Sequence, residues 1–489
     1  MSEKSEQKKT SRPKPVFVVL LPIFFVLHGY VQNWKLVPAS DAVLLVCFYL
    51  LLVAILLLVF RWLFKSLLKA ALFTALLLST HFFFGAVHDF LKNTWGNCLW
   101  TSYSFLLPAI GISWMLCAWL ILRTRKSLSQ FVRFLNLLLA AFLVVDLGWA
   151  ALKHFSQKPR QLPSGLVGFT GPKPDVYLII ADGYGGRKEL QDVFGFDNQL
   201  FMDSLRQMGF YVYDQPLSNY NFTPFSVAST LNLNYLDLHQ PANTTPDVPR
   251  IMREVEENTV TNFLVASGYR VFNNSYFDLL DDPTPTAATF LPSKTTYITA
   301  QTLWSRMWRD IGFNLVITYN LDWAIKDFTW RNKKNNALLY KRTLATAVNE
   351  VHPKFSYTHL MLPHPPYYFD QNSNPFSLHD VQHNTSGERY IQYLQYANKK
   401  YVHLIKQLLT QKGEPPVIVF MSDHSSRHTE HTAQEEYVFY NFVAIHLPGR
   451  NYTKLPANIS NVNVFRVVLN EVFGQRLPLL KDSTIFLRD

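Results

Sequence analysis

The sequence predicts a protein in two parts, five transmembrane helices followed by an α/β domain with a mostly parallel central sheet. Three observations predict it. Five long apolar stretches all fall before residue 153, each about the 20 residues that cross a hydrocarbon core. After residue 174, short apolar runs that end in turn signals alternate with helical patterns. The 489 residues also exceed the length at which one core usually keeps growing. These observations divide the chain into a basic tail over 1–15, a five-span domain over 16–152, a linker over 153–174 and an outer domain over 175–489.

The spans run over Val16 to Gln32, Ala42 to Phe64, Leu67 to Val87, Thr101 to Leu122 and Gln130 to Leu152. Lys and Arg sit on alternate sides. Lys4, Lys8, Lys9, Arg12 and Lys14 precede the first span; Arg61, Lys65 and Lys69 surround the second connection; Arg123, Arg125, Lys126 and Arg133 surround the fourth. The other connections hold only Lys35 against Asp41 and Asp89 against Lys92. By the positive-inside rule the N-terminus is cytoplasmic, and five crossings place the C-terminal two thirds outside. All but one of the +11 net charges fall in residues 1–153, so the basic balance reports topology and implies no nucleic-acid partner. The first span is not a cleaved signal peptide, since four more follow it and no small-residue cleavage pattern stands out. Cys47, Cys98 and Cys117 all lie in the membrane half, so the outer domain holds together without disulfides.

The segment 153–174 is rich in Pro and Gly and has no sustained period, as a linker does. DVYLIIADG then reads as a buried parallel strand, and GYRVFNN, KFSYTHLMLPH, PPVIVFMSDH and EYVFYNFVAIHLP repeat the pattern. Helical patterns such as Tyr390 to Leu409 separate them, which implies helices on both faces of an open sheet.

Three strands end in residues able to do chemistry: Asp182, His364, and Asp423 with His424. Open α/β sheets form their sites beyond the carboxyl ends of the strands, so these residues converge. Each alone is explained as a turn or a helix cap. A nucleophile comes from SNYNFTPFSVASTLN, where Thr223 stands as the N-cap before Pro224 at a helix start. Its hydroxyl sits at the positive end of a helix dipole, where a phosphate or sulfate group is also favoured. Asp182, Asp423 and His424 with Thr223 form an O and N ligand set that suits one divalent ion, Zn²⁺ or Mn²⁺, better than Ca²⁺. Such an ion lowers the pKa of the hydroxyl it binds.

ADGYG after a strand, the Thr-containing helix start, LPHPPY and MSDHSSRH resemble, in that order, the motifs of the sulfatase-like branch of the alkaline phosphatase superfamily. With five N-terminal spans the architecture resembles lipoteichoic acid synthases and lipid A phosphoethanolamine transferases. The resemblance implies an alkaline-phosphatase-like fold in a bacterial inner membrane, with the catalytic domain periplasmic or extracellular. It also implies a metal at Asp182, Thr223, Asp423 and His424, with Thr223 and His364 catalytic. His359 is implied as a substrate contact beside His364. The implied reaction moves a phospho-head group from a membrane lipid to an envelope glycan or glycolipid through a covalent phospho-threonine.

This sequence departs from the family pattern in three ways. Sulfatases that make formylglycine do so from a Cys or Ser in a Cys/Ser-x-Pro-x-Arg motif; the outer domain has no Cys, and NFTPFSV lacks the Arg. Ser425 replaces the usual Gly after Asp-His, leaving Arg427 and His428 as anion contacts. No Asp-x-x-x-His spacing for a second metal is present, although His359, His364 and His428 could gather one. A phosphodiesterase or phosphatase would use the same residues, and a non-catalytic membrane scaffold is argued against by the presence of Thr223 and the Asp-His pair.

Three weaker features complete the expectations. Leu303 to Asn335 is either a membrane-facing amphipathic segment or a surface insertion with its tryptophans turned inward. Asp146 is an ionisable residue within the fifth span, and such residues are functional candidates. Asn221 could contact substrate, while Asn219 and Asn232 read as capping residues.

Overall fold

The structure, a computed structural model, describes residues 13–34, 36–96, 98–125, 127–156, 165–238, 247–280, 282–286, 294–312, 322–349, 351–411, 413–430 and 432–488. Lys4, Lys8, Lys9, Arg12, Lys35 and Lys126, part of the linker and residues 313–321 lie outside them. The chain divides into two compact units, Met1–Lys158 with Ala288–Asn320, and Pro159–Ala287 with Leu321–Asp489.

The first unit contains α1 (Phe17–Gln32), α2 (Ala39–Phe64), α3 (Leu67–Trp95), α4 (Tyr103–Arg123) and α5 (Ser129–Phe155). Among the described residues, α2 to α5 are long and apolar enough to cross a membrane. The stretch expected as the first span is the apolar helix α1, whose 16 residues fall short of the usual crossing length of about 20. Asp146 on α5 is buried and takes a hydrogen bond from His28 Nδ1 of α1 at 3.1 Å, a polar tie between two apolar helices.

Residues 294–312 group with these helices, although the sequence assigned them to the outer domain. Ile298 is buried among Phe25, Val26 and Phe82, and a Cβ on Gly29 would come within 2.7 Å of its Cγ2. The Gly85 N–H donates to Gln301 O at 2.8 Å. Buried Arg306 pairs with Asp89, and Tyr103 donates to Asp310 Oδ2 at 2.6 Å. Residues 303–312 of the expected amphipathic segment therefore pack through charged and polar contacts, while Trp304 and Trp308 stay exposed.

The second unit is a sheet with both faces covered. Its strands are β1 (Val176–Ala181), β2 (Tyr211–Val212), β3 (Arg270–Asn274), β4 (Lys354–Leu360), β5 (Val417–Met421) and β6 (Val443–His446), in spatial order β2-β6-β5-β1-β4-β3. The four strands from β5 to β3 are parallel, and β6 runs antiparallel to both its neighbours. Every run predicted as a strand contains one, although the last run opens as a 3-10 helix over Glu435–Phe439 before β6; the two-residue β2 is too short to leave a periodic signal.

In chain order the helices of the second unit, with two from residues 294–312, are α6 (Arg187–Asp192), α7 (Gln199–Gln207), α8 (Thr223–Asn232), α9 (Val248–Glu256), α10 (Thr259–Ala266), α11 (Thr295–Thr299), α12 (Leu303–Met307), α13 (Asp322–Ala347), α14 (Leu378–His383), α15 (Gly387–Leu409) and α16 (Asn461–Phe473). Strand β1 is central and wholly buried. Val176, Leu178 and Ile180 face a core shared with α8, α10 and α16, and Tyr177, Ile179 and Ala181 face one shared with α7 and α15. This is the period-2 alternation of a strand with apolar layers on both sides. Pairing with β4 and β5 on either side places Asp182 at the carboxyl end of β1.

Candidate active site

Asp182 follows β1 directly, its N–H donating to Leu360 O of β4 at 3.0 Å. Asp423 and His424 follow β5, which pairs with β1 on its other side. The chain ends of adjacent parallel strands thus bring together residues 241 positions apart, as the sequence predicted. Asp182, Asp423 and His424 are all buried, with one potential ligand atom of each within 4.8 Å of the others.

Hydrogen bonding decides which atoms face the centre. His424 Nδ1 lies 2.7 Å from Ser425 O. A carbonyl only accepts, so Nδ1 carries the proton and Nε2 presents a lone pair. Burial lowers the imidazole pKa and keeps that nitrogen bare. Nε2 faces Asp423 Oδ2 at 3.3 Å, Asp182 Oδ1 at 4.0 Å and Thr223 Oγ1 at 3.0 Å. Asp182 Oδ1 and Asp423 Oδ2 are buried acceptors without a hydrogen-bond partner. Two bare carboxylate oxygens and a bare imidazole nitrogen pointing together repel one another, and a cation among them turns each repulsion into a bond. The donor set fits a divalent ion with mixed O and N ligands.

The other oxygens are held in place. Asp182 Oδ2 accepts from His359 Nε2 at 3.1 Å, and His359 Nδ1 accepts from Tyr357 OH at 3.0 Å. Burial opposes ionisation of Asp182, but the imidazoles of His364, His359 and His424 outweigh it and hold the carboxyl well below the usual range. Asp423 Oδ1 accepts from Gly183 N–H at 3.2 Å. The Asp423 carbonyl accepts from Ser226 Oγ at 2.6 Å and from Asn461 Nδ2 at 3.1 Å, so α8 and α16 grip the ligand loop from below.

Thr223 is the first residue of α8, with Phe222 extended before it and Pro224 in the first turn. The helix begins one residue earlier than predicted, so Phe222 takes the cap position and Thr223 does not. Its hydroxyl is directed to His424 instead.

The remaining candidates divide by geometry. His364, half-buried, packs against the Asp182–Gly183 turn, where a Cβ on Gly183 would lie 3.7 Å from its Cδ2. His359 has both ring nitrogens engaged and touches Asp182. Asn221 is fully buried and bonds Glu430 and both backbone groups of Leu487, which leaves no amide group turned to the site. Asn219 and Asn232 are likewise spent on backbone groups. Arg427 donates through Nε and a terminal nitrogen to Asn221 O, at 2.9 and 2.6 Å, and stacks on Phe222, bracing the backbone that delivers Thr223. His428 Nε2 donates to Thr385 O at 3.0 Å, and its buried Nδ1 has no partner. Of the supporting residues, Ser226, Tyr357, Gly183 and Asn461 went unpredicted as site residues: Gly183, Ser226 and Asn461 reach Asp423 across 240, 197 and 38 positions, which no local pattern marks, and Tyr357, two positions from His359, reads only as a strand residue.

The sequence profile of the family described as Sulfatase matches residues 195–465, more than half of the chain. Thr223, His364, Asp423 and His424 lie within the match, and Asp182 precedes it. Among solved structures, the C-terminal periplasmic domain of EcEptC from Escherichia coli is similar at 13% identity and a TM-score of 0.40, covering 65% of this chain and 92% of that one. The C-terminal periplasmic domain of phosphoethanolamine transferase EptC from Campylobacter jejuni is 16% identical with a TM-score of 0.38, covering 64% and 92%. The phosphonate monoester hydrolase of Agrobacterium radiobacter is 14% identical with a TM-score of 0.39, covering 62% and 74%. No curated protein matches.

Proposed function

The chain belongs to the sulfatase family, within the alkaline phosphatase superfamily, and from this premise we propose a membrane-anchored, metal-dependent phosphotransferase. It moves a phospho-head group from a membrane lipid to an envelope glycan or glycolipid through a phospho-threonine at Thr223. The observation that carries this reading is the Thr223 hydroxyl, unused by its helix and 3.0 Å from the bare Nε2 of His424, beside two unpartnered carboxylate oxygens.

Asp182, Asp423, His424 and Thr223 would hold the ion. When bound, it supplies positive charge that favours the threonine alkoxide at neutral pH and the developing charge on phosphorus oxygens. The Thr223 oxygen forms a bond to phosphorus while the bond from phosphorus to the glycerol oxygen breaks. His364 protonates that leaving oxygen. In the second half an acceptor hydroxyl attacks the phospho-threonine, giving its proton to His364 and restoring the Thr223 oxygen. His359, through Asp182, orients a ligand rather than touching substrate. Formylglycine chemistry is disfavoured, because a Thr occupies the nucleophile position.

The apolar helices favour a lipid donor. Water in place of the acceptor gives the phosphodiesterase reading with the same residues. The test is head-group-labelled phosphatidylethanolamine or phosphatidylglycerol incubated with the full chain, with and without an envelope glycolipid fraction. Label on the glycolipid with release of diacylglycerol supports transfer; free head-group phosphate in equal yield under both conditions makes the protein a hydrolase.

A further inference from the structure

Glu189 has no part in the chemistry above. It lies in the first turn of α6, directly after the Asp182–Gly186 loop, and is fully buried. Its Oε1 is 2.5 Å from Ser426 Oγ, and its Oε2 accepts from the Ser426 N–H at 3.3 Å. Ser426 stands two residues after His424. A Cβ on Gly185 would come within 2.3 Å of Glu189 Oε2, so the absent side chain at 185 admits the carboxyl. The loops after β1 and β5 are therefore joined twice, once by Gly183 N–H on Asp423 and once by Glu189 on Ser426. Tyr390 of α15 fixes the first of these loops, accepting from Gly185 N–H at 2.8 Å and donating to Gly183 O at 3.1 Å.

We infer that Glu189 is a positioning residue whose buried carboxyl cross-links the loop bearing Asp182 to the loop bearing Asp423 and His424 and so holds the three ligands in register. The inference rests on the reading of those residues as metal ligands. Among the described residues Glu189 forms no ion pair, and a fully buried carboxylate without a cation is costly. Burial pushes its carboxyl up to about 8, with the Ser426 hydrogen bonds offsetting only part of the rise. Burial favours the uncharged forms of the titratable groups packed around it. Burial raises the hydroxyls of Tyr367 and Tyr390 and lowers His428, which lies against Tyr390. On α6 itself, Arg187 and Lys188 are turned outward to Asp214 and Asp192.

A proton held in the folded chain up to about 8 is released in the unfolded chain near 4.5. The folded state binds more protons between these values, so stability falls as pH rises through that window and levels off above it.

The experiment uses the chelator-treated full chain in lipid nanodiscs with zinc alone as the probe, comparing wild type, Glu189→Gln, Glu189→Ala, Ser426→Ala and Asp423→Ala. Zinc affinity and thermal midpoint are measured from pH 5 to pH 9. Glu189→Gln, which keeps a neutral hydrogen-bonding group, retains wild-type zinc affinity and loses the decline in midpoint between the two pKa values. Glu189→Ala and Ser426→Ala bind zinc about tenfold more weakly. Wild-type affinity in Glu189→Ala, or affinity in Glu189→Gln as weak as in Glu189→Ala, overturns the clamp. Should Glu189→Ala fail to fold, the contrast between Glu189→Gln and Ser426→Ala decides. Undiminished zinc binding by Asp423→Ala would instead overturn the ligand reading beneath it.

Discussion

Buried carboxylates have different surroundings in the two units. In the helical unit, Asp146 shares one oxygen with His28 and leaves the other bare and solitary. In the α/β unit, Asp182 and Asp423 each keep one oxygen hydrogen-bonded, and their two bare oxygens meet at one imidazole lone pair. Convergence, rather than burial, distinguishes a cation site from a helix tie. Apolar residues differ between the units in the same way. Helix α4, long and apolar enough to cross a membrane, buries none of its residues within the protein, whereas β1 buries all six.

The comparison breaks most sharply at the point of convergence. Thr223→Ala lowers turnover of a lipid phosphodiester by about a thousandfold or more. Asp423→Ala abolishes stoichiometric zinc binding measured by elemental analysis, while Asp146→Asn leaves it unchanged. Equal zinc content in the two aspartate variants would erase the distinction. A smaller effect sharpens it. His359→Ala, which frees one oxygen of Asp182, weakens zinc binding by about 10- to 100-fold in calorimetric titration.

Smaller still are effects on folding. Asp89→Ala removes the ion-pair partner of the buried Arg306, leaving its hydrogen bonds to Gln301, and costs about 2 to 3 kcal/mol, read as a lowered thermal midpoint of the full chain in nanodiscs with zinc binding intact. The smallest effect is a pH dependence at His446, whose Nδ1 donates to Pro416 O at 2.8 Å and whose imidazole pKa burial lowers. The unfolded chain takes up this proton near 6.5 and the folded chain at lower pH, so stability falls as pH drops below 6.5. His446→Asn reduces that acid-side slope in denaturant titrations; an unaltered slope would assign it to other groups.

The centre of the site was legible because short apolar runs mark strands and strand ends mark sites. Asp182, Asp423 and His424 needed only that argument, and Thr223 needed only a helix start. What surrounds them was not legible. The Arg306 to Asp89 pair spans 217 positions, and the Glu189 to Ser426 contact spans 237; neither leaves a periodic trace. Arg427 was expected as an anion contact because it follows the Asp-His pair, and Asn221 as a substrate contact because it lies near Thr223. Their partners, Asn221 O and the Leu487 backbone, come from segments that sequence alone does not bring near.

The most direct test of the central claim is peptide mass spectrometry of the zinc-loaded full chain after incubation with phosphatidylethanolamine or phosphatidylglycerol. The account predicts a phospho-adduct on the Thr223 peptide, absent from Thr223→Ala, with a mass that names the transferred head group. An unmodified Thr223 peptide, with the lipid cleaved equally by both proteins, would contradict it.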